Sequence, residues 1–235
     1  MNTDLPTTHF VLDVLAIVVA VGLTVRGRWR LGVFFAAYIV CFITKEVLVI
    51  FWPERFFFQR FWLIFQSALD ILKFGVALEV AWRTFAPFPG AASVARKAAV
   101  AILGLTAVAV ASLPLANPQS TVFETAVTTF HPRLNDGTIW LIAAILAIAK
   151  WYRVPVRRFH AALLTSFALY LVFYTWVLRI FVGVDLEGIR HYANAVDAIG
   201  FLLLTCWWVH ITWRSENGTD RTYVNTLRTL ERGAY

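Results

Sequence analysis

The sequence predicts an all-α polytopic membrane bundle of seven transmembrane helices, with the N-terminus outside and the C-terminus cytoplasmic. Three observations predict it. Hydrophobic residues make up 60% of the 235-residue chain and charged residues only 15%, against the roughly 45–50% apolar and about 25% charged of soluble domains. A mean hydropathy of +0.69 leaves too little polar surface to cover one soluble core, whereas a bilayer accepts helices that are apolar all round. Apolar runs recur along the chain near the roughly 17–25 residues a spanning helix needs, and the segments between them are alternately rich and poor in Arg and Lys.

The runs fall at residues 10–25, 31–52, 61–82, 98–115, 137–152, 159–182 and 191–213. The first, fourth and fifth are short, and flanking residues complete them. The chain opens MNTDLPTTHF, with Asp4 and no Lys or Arg, so the basic n-region of a cleavable signal is missing and the first run is expected to stay in the mature chain. After the first run come Arg26, Arg28 and Arg30. Arg83, Arg96 and Lys97 flank the third-to-fourth connection, Lys150, Arg153, Arg157 and Arg158 the fifth-to-sixth, and Arg214, Arg221, Arg228 and Arg232 follow the last. The other side holds Arg55, Arg60, Arg133 and Arg190. Because Lys and Arg resist translocation, the basic segments are cytoplasmic. An odd helix number then puts the N-terminus outside, so span count and charge bias agree.

This distribution also disposes of the net charge of +7, which in a soluble protein would suggest nucleic acid; here no nucleic-acid partner is expected. Residues 1–213 form the transmembrane domain and residues 214–235 a short polar cytoplasmic tail, too small to fold alone. Asn217-Gly218-Thr219 matches a glycosylation acceptor, but on the cytoplasmic side it stays unmodified. Cys41 and Cys206 both lie in apolar runs and suggest no disulfide framework. Aromatic residues at run ends, from Phe51-Trp52 through Phe61-Trp62, at Trp151-Tyr152 and from Trp207 to Trp213, read as interfacial anchors.

Residues 116–136 make the longest external connection. Thr121-Val122-Phe123-Glu124 has a capping-box pattern, and Phe123, Ala126, Val127 and Phe130 follow at helical spacing, so a short surface helix is expected, ended by His131-Pro132. It would rest in the interface or cover the outer mouth as a lid. In the fourth and fifth runs Gly104, Ala107 and Ala111 face Ala143, Ala144 and Ala147 as small residues for close helix contact. Ala86-Pro87-Phe88-Pro89-Gly90 is a turn-rich break. No inverted repeat of the kind common in transporters is visible.

Charged groups inside spans cost at least about 2.5–3.5 kcal/mol each when unpaired, so they mark either function or helix-to-helix fastening. Here they are Asp13, Lys45, Glu46, Asp70, Lys73, Glu79, Arg179 and Asp197. Counted at about 1.5 Å per residue, all but Glu79 lie in the outer half or near the middle, which suggests a polar cavity open to the outside. Gln66, Asp70 and Lys73 occupy i, i+4 and i+7 and share a helix face, while Glu79 points elsewhere. A hairpin about residue 57 brings Lys45 level with residue 69, predicting a Lys45–Asp70 pair; a second hairpin about residue 186 predicts Arg179–Asp197. Ser166, Tyr170 and Tyr174 form a hydroxyl stripe that would line the same cavity. The candidate ligand-binding or proton-handling residues are therefore Lys45, Glu46, Asp70, Lys73, Arg179, Asp197, Tyr170 and Tyr174.

The last run lacks the Schiff-base lysine that defines retinal proteins, so that likeness is topological only. His160 and His210, at the cytoplasmic ends of neighbouring runs, would serve a bis-imidazole haem. No zinc spacing, phosphate-binding glycine loop or nucleophile with a base partner is present, and neither a metal, a cofactor nor a reaction is predicted. The expected class is a sensor, receptor-like protein or accessory subunit of a bacterial cytoplasmic membrane. Besides the lipid bilayer, its partner would be a small polar or amphipathic ligand or another membrane protein. The alternatives are a transporter or proton-handling subunit using Asp70, Lys45 and Lys73, and a haem or quinone redox subunit.

Overall fold

A computed structural model describes residues 4–56, 58–111, 130–182 and 187–214, with side chains described over 10–56, 58–88, 90–106, 130–177 and 195–214. Among these the regular structure is entirely helical: α1 (Asp4–Val25), a 3-10 turn (Arg28–Arg30), α2 (Val33–Phe51), the short α3 (Pro53–Phe56), α4 (Gln59–Phe85), α5 (Pro89–Ala111), α6 (His131–Trp151), α7 (Arg158–Val182) and α8 (Glu187–Trp213). Five helical stretches are long and apolar enough to cross a membrane: Val33–Phe51, Gln59–Phe85, His131–Trp151, Arg158–Val177 and Ala195–Trp213. Phe10–Val25 is a shorter apolar helix.

The long helices are closed into a ring. α1 packs on α2, α2 on α4, α4 on α5, α5 on α6, α6 on α7, α7 on α8, and α8 returns to α1. α4 also touches α6 and α7, which makes it the central member. Its sequence explains this: Leu69, Lys73, Val76, Val80 and Thr84 are buried on one stripe, and Asp70, Ala77 and Ala81 on the next, so α4 is covered over a wider arc than a peripheral helix. The outward faces are apolar. Ile64, Ile71, Leu169 and Leu203 are each more than 60% exposed, a pattern suited to hydrocarbon and costly in water.

Turn chemistry sets the helix ends. Gly27 at φ 64° takes the left-handed conformation that ends α1. At the end of α6 the Val154 amide bonds the Ala149 carbonyl and the Arg153 amide that of Lys150, a Schellman motif whose left-handed position, φ 51°, is filled by Arg153 instead of glycine.

Several boundaries differ from expectation. α5 starts at Pro89, inside the expected break, because proline fits a first helical turn. His131-Pro132 does not end a helix but begins α6, with Pro132 in its first turn. The polar residues before position 137 are helical because the inward ones are buried against α4. The surface helix expected from residue 121 lies outside the described residues apart from Phe130. The α5–α6 contact is close, but Gly104 faces open space; the tight point is Gly137, where a Cβ would stand 2.4 Å from Thr106 Oγ1.

Candidate functional site

The α4 face that carries Gln66, Asp70 and Lys73 turns inward. Asp70 and Lys73 are 2% and 5% exposed, and Lys73 Nζ lies 2.6 Å from Asp70 Oδ1. Gln66 Nε2 donates to the same oxygen at 3.3 Å. The expected Lys45–Asp70 pair does not form. Register is not the cause: the Glu79 carboxylate meets the amides of Val33 and Phe34, which places Lys45 level with the residues just before Asp70. Lys73, three residues along the same helix, reaches Asp70 without crossing between helices. Lys45 turns instead to its neighbour Glu46, at 3.0 Å.

The other Asp70 oxygen is taken by a residue the sequence reading assigned to a surface loop. His131 Nδ1 lies 2.5 Å from Asp70 Oδ2; since a carboxylate only accepts, Nδ1 carries the proton. His131 is 2% exposed and meets the Trp62 ring edge-on, centroids 5.6 Å apart. One turn further on, Asn135 is 1% exposed, and its Oδ1 accepts from Lys73 Nζ at 3.5 Å. The offsets at the two contacts, 61 and 62 residues, are nearly equal, so α4 and α6 run parallel. The signal in the sequence was the stripe His131, Asn135, Thr138, Ile142, Ile145 and Ala149, all buried at i, i+4, i+7 spacing.

Asp70 is thus bracketed by Lys73 and His131, and the cluster is enclosed rather than open. Two of its buried atoms have no protein partner: His131 Nε2 and Asn135 Nδ2. Leaving such atoms unmatched costs about 1–3 kcal/mol each.

A second polar group joins α7 to α8. Tyr170 Oη donates to Asp197 Oδ1 at 3.3 Å, and Tyr170 stacks on Tyr174, centroids 5.9 Å apart. The side chain of Arg179 lies outside the described residues, and with it the expected Arg179–Asp197 pair. Ser166 departs from the stripe: it accepts from Trp208 Nε1 at 3.0 Å and donates to the Leu163 carbonyl, a packing role.

Towards the arginine-rich end the interior becomes apolar. Trp208 packs within 5.2 Å of Phe35 and 5.0 Å of Phe167, and Tyr38 within 5.6 Å of Phe167. Val76, Ala77, Val80, Leu141 and Ile142 fill the same levels. Polar groups beyond them are structural. Glu79 caps α2 and pairs with Arg83 at 2.7 Å. His160 Nε2 donates to the Leu31 carbonyl at 2.9 Å, which occupies the nitrogen a haem iron would need, while His210 is exposed against the Trp207 ring. Arg28 donates to the Ile211 and Arg214 carbonyls and closes the end of α8.

Compared with protein-family models, curated proteins and solved structures, the chain matches none.

Proposed function

We propose that the chain is a seven-helix protein of a bacterial cytoplasmic membrane, N-terminus outside and C-terminus cytoplasmic. In this reading it is a sensor, receptor-like protein or accessory subunit, and its outer-half cluster around Asp70 takes up a small polar ligand. The ring of seven long helices and the arginine-rich connections support the topology; compact loops and a composition rich in Ala, Val and Arg support the bacterial assignment.

The observation that carries the ligand reading is the pair of unmatched polar atoms, His131 Nε2 and Asn135 Nδ2, beside a fully buried ion pair. One is an acceptor when neutral and a donor when protonated; the other is a donor only. A hydroxyl, carboxylate or amide fits both. The apolar layer below Lys73 favours binding over transport, because a conducting path needs polar groups or water through the whole thickness.

The test is thermal unfolding of the purified protein with glycine, acetate, glycerol and acetamide, for the native chain and for Asn135→Leu. A ligand that binds the folded state raises Tm in a concentration-dependent way, and the shift should vanish in the variant. A native chain indifferent to all four solutes, with Asp70→Asn only lowering stability, would reduce the cluster to a helix fastener.

A second reading has its own support. The His131–Asp70 contact gives a proton two adjacent sites, so a proton-handling subunit using Asp70, Lys73 and His131 is favoured over one using Lys45. Proton release by the native chain in a pH jump, followed with a pH indicator and lost in Asp70→Asn, separates it from ligand binding.

A further inference from the structure

The two unmatched atoms beside Asp70 have a companion on a third helix. Thr175 of α7 is 6% exposed, and its hydroxyl, like His131 Nε2 and Asn135 Nδ2, has no hydrogen-bond partner. Thr44, Thr138, Thr205 and Thr212 each donate to the carbonyl four residues back; Thr175 does not. Thr84, at the arginine-rich end, is the other buried threonine in this state.

Topology brings Thr175 to the level of the α6 pair. α6 ends at Trp151 and α7 starts at Arg158, and so short a connection makes them antiparallel neighbours. Asn135 lies 16 residues before that end and Thr175 17 residues after that start, so both stand about 25 Å from the connection. Rotation agrees with level. Tyr170, whose hydroxyl meets Asp197 on α8, comes five residues before Thr175, about 140° away around the helix. Thr175 therefore turns from α8 towards α6 and α4, the other neighbours of α7.

The chemistry of the three groups selects a guest. His131 Nδ1 donates to Asp70, so the neutral ring offers a lone pair at Nε2. A second cation there would be unbalanced, because Lys73 and Asp70 already match one for one. Asn135 Nδ2 only donates, and Thr175 Oγ1 can do either. No charge is left over to hold an ion, and a buried ionised guest would lose its hydration without a counter-charge. His131 and Asn135 leave α6 about 6 Å apart, a span that two atoms share more easily than one hydroxyl oxygen. A primary carboxamide has this layout: its oxygen accepts from Asn135, and its two N–H bonds point to His131 and Thr175.

We infer that the interior between α4, α6 and α7 recognises an uncharged primary carboxamide group through His131 Nε2, Asn135 Nδ2 and Thr175 Oγ1. This rests on the ligand reading above and narrows it, setting carboxylates and amines aside.

The experiment is saturation-transfer NMR of the detergent-purified chain with acetamide, acetate, ethylammonium and ethanol, read as dissociation constants. Acetamide should bind at least about tenfold more tightly than each of the other three, the weight of two hydrogen bonds. Thr175→Val should weaken acetamide about fivefold, the weight of one, without lowering the Tm of the free protein, because the hydroxyl it removes bonds nothing there. Thr84→Val, the same change at the far end, should leave acetamide binding as it was. Another of the solutes bound as tightly as acetamide, equal binding by the native chain and Thr175→Val, or equal losses in Thr84→Val and Thr175→Val would each overturn the inference and leave the ligand reading in place. A chain that takes up none of the four would overturn both.

Discussion

His131 Nδ1 stands 2.5 Å from Asp70 Oδ2, which joins the first turn of α6 to the middle of α4 through one buried carboxylate. Lys73 holds the opposite oxygen at 2.6 Å. Removing the carboxylate strands a buried ammonium, and breaking such a pair from one side costs about 3–5 kcal/mol, whereas replacing both members by apolar residues is often neutral. Asp70→Leu should therefore destabilise the protein by that amount and Asp70→Leu with Lys73→Met by much less. Reversible denaturation in mixed micelles measures the difference. Equal losses in the single and double variants would mean that Lys73 is already neutralised by other groups.

Gly137 is the closest approach between α5 and α6, with Thr106 Oγ1 and Cγ2 at 2.4 and 2.8 Å from the position of an added Cβ. Gly137→Ala should overpack this contact and cost about 1–3 kcal/mol. Thr106→Ala removes both clashing atoms, so the double variant should recover most of the loss. A double-mutant cycle reads the coupling directly, and simple additivity would show that the helices separate freely here.

Glu79 serves two helices: it accepts the Val33 and Phe34 amides at 3.0 and 2.9 Å and binds Arg83 on its own helix. Glu79→Ala uncaps α2 and should cost about 2 kcal/mol. Glu79→Gln keeps one acceptor and should cost less. Hydrogen exchange at the first turn of α2 should accelerate in the order Gln, then Ala; unchanged exchange in both would show that the cap contributes nothing.

Arg153 occupies a left-handed position, φ 51°, which costs a side-chain-bearing residue roughly 1–2 kcal/mol. Arg153→Gly should stabilise the α6–α7 turn by about 1 kcal/mol and raise Tm. A lower Tm would show that the arginine makes up the strain through contacts of its own.

How much of this was legible from the residues differs by feature. The helical class and the inward face of α4 follow from composition and from the spacing of Gln66, Asp70 and Lys73, because those properties repeat along a single helix. The level of α2 against α4 was also readable, since a short connection fixes it. Which partner Lys45 chooses was not: two side chains at equal height meet only if both point at each other and nothing nearer competes, and Glu46 and Lys73 were nearer. His131 was hidden by Pro132. A proline after a polar stretch signals either the end of one helix or the start of the next, and only burial against α4 decides between them.

The apolar layer of Phe35, Phe167 and Trp208 separates the Asp70 cluster from the arginine-rich end of the bundle. What crosses it is backbone. Asp70 and Glu79 are fixed on the same uninterrupted helix, nine residues or about 13 Å apart, and Glu79 grips the start of α2. α4 is therefore one continuous strut between the Asp70 cluster and the cap on α2, tying the buried polar interior to the end where arginines gather.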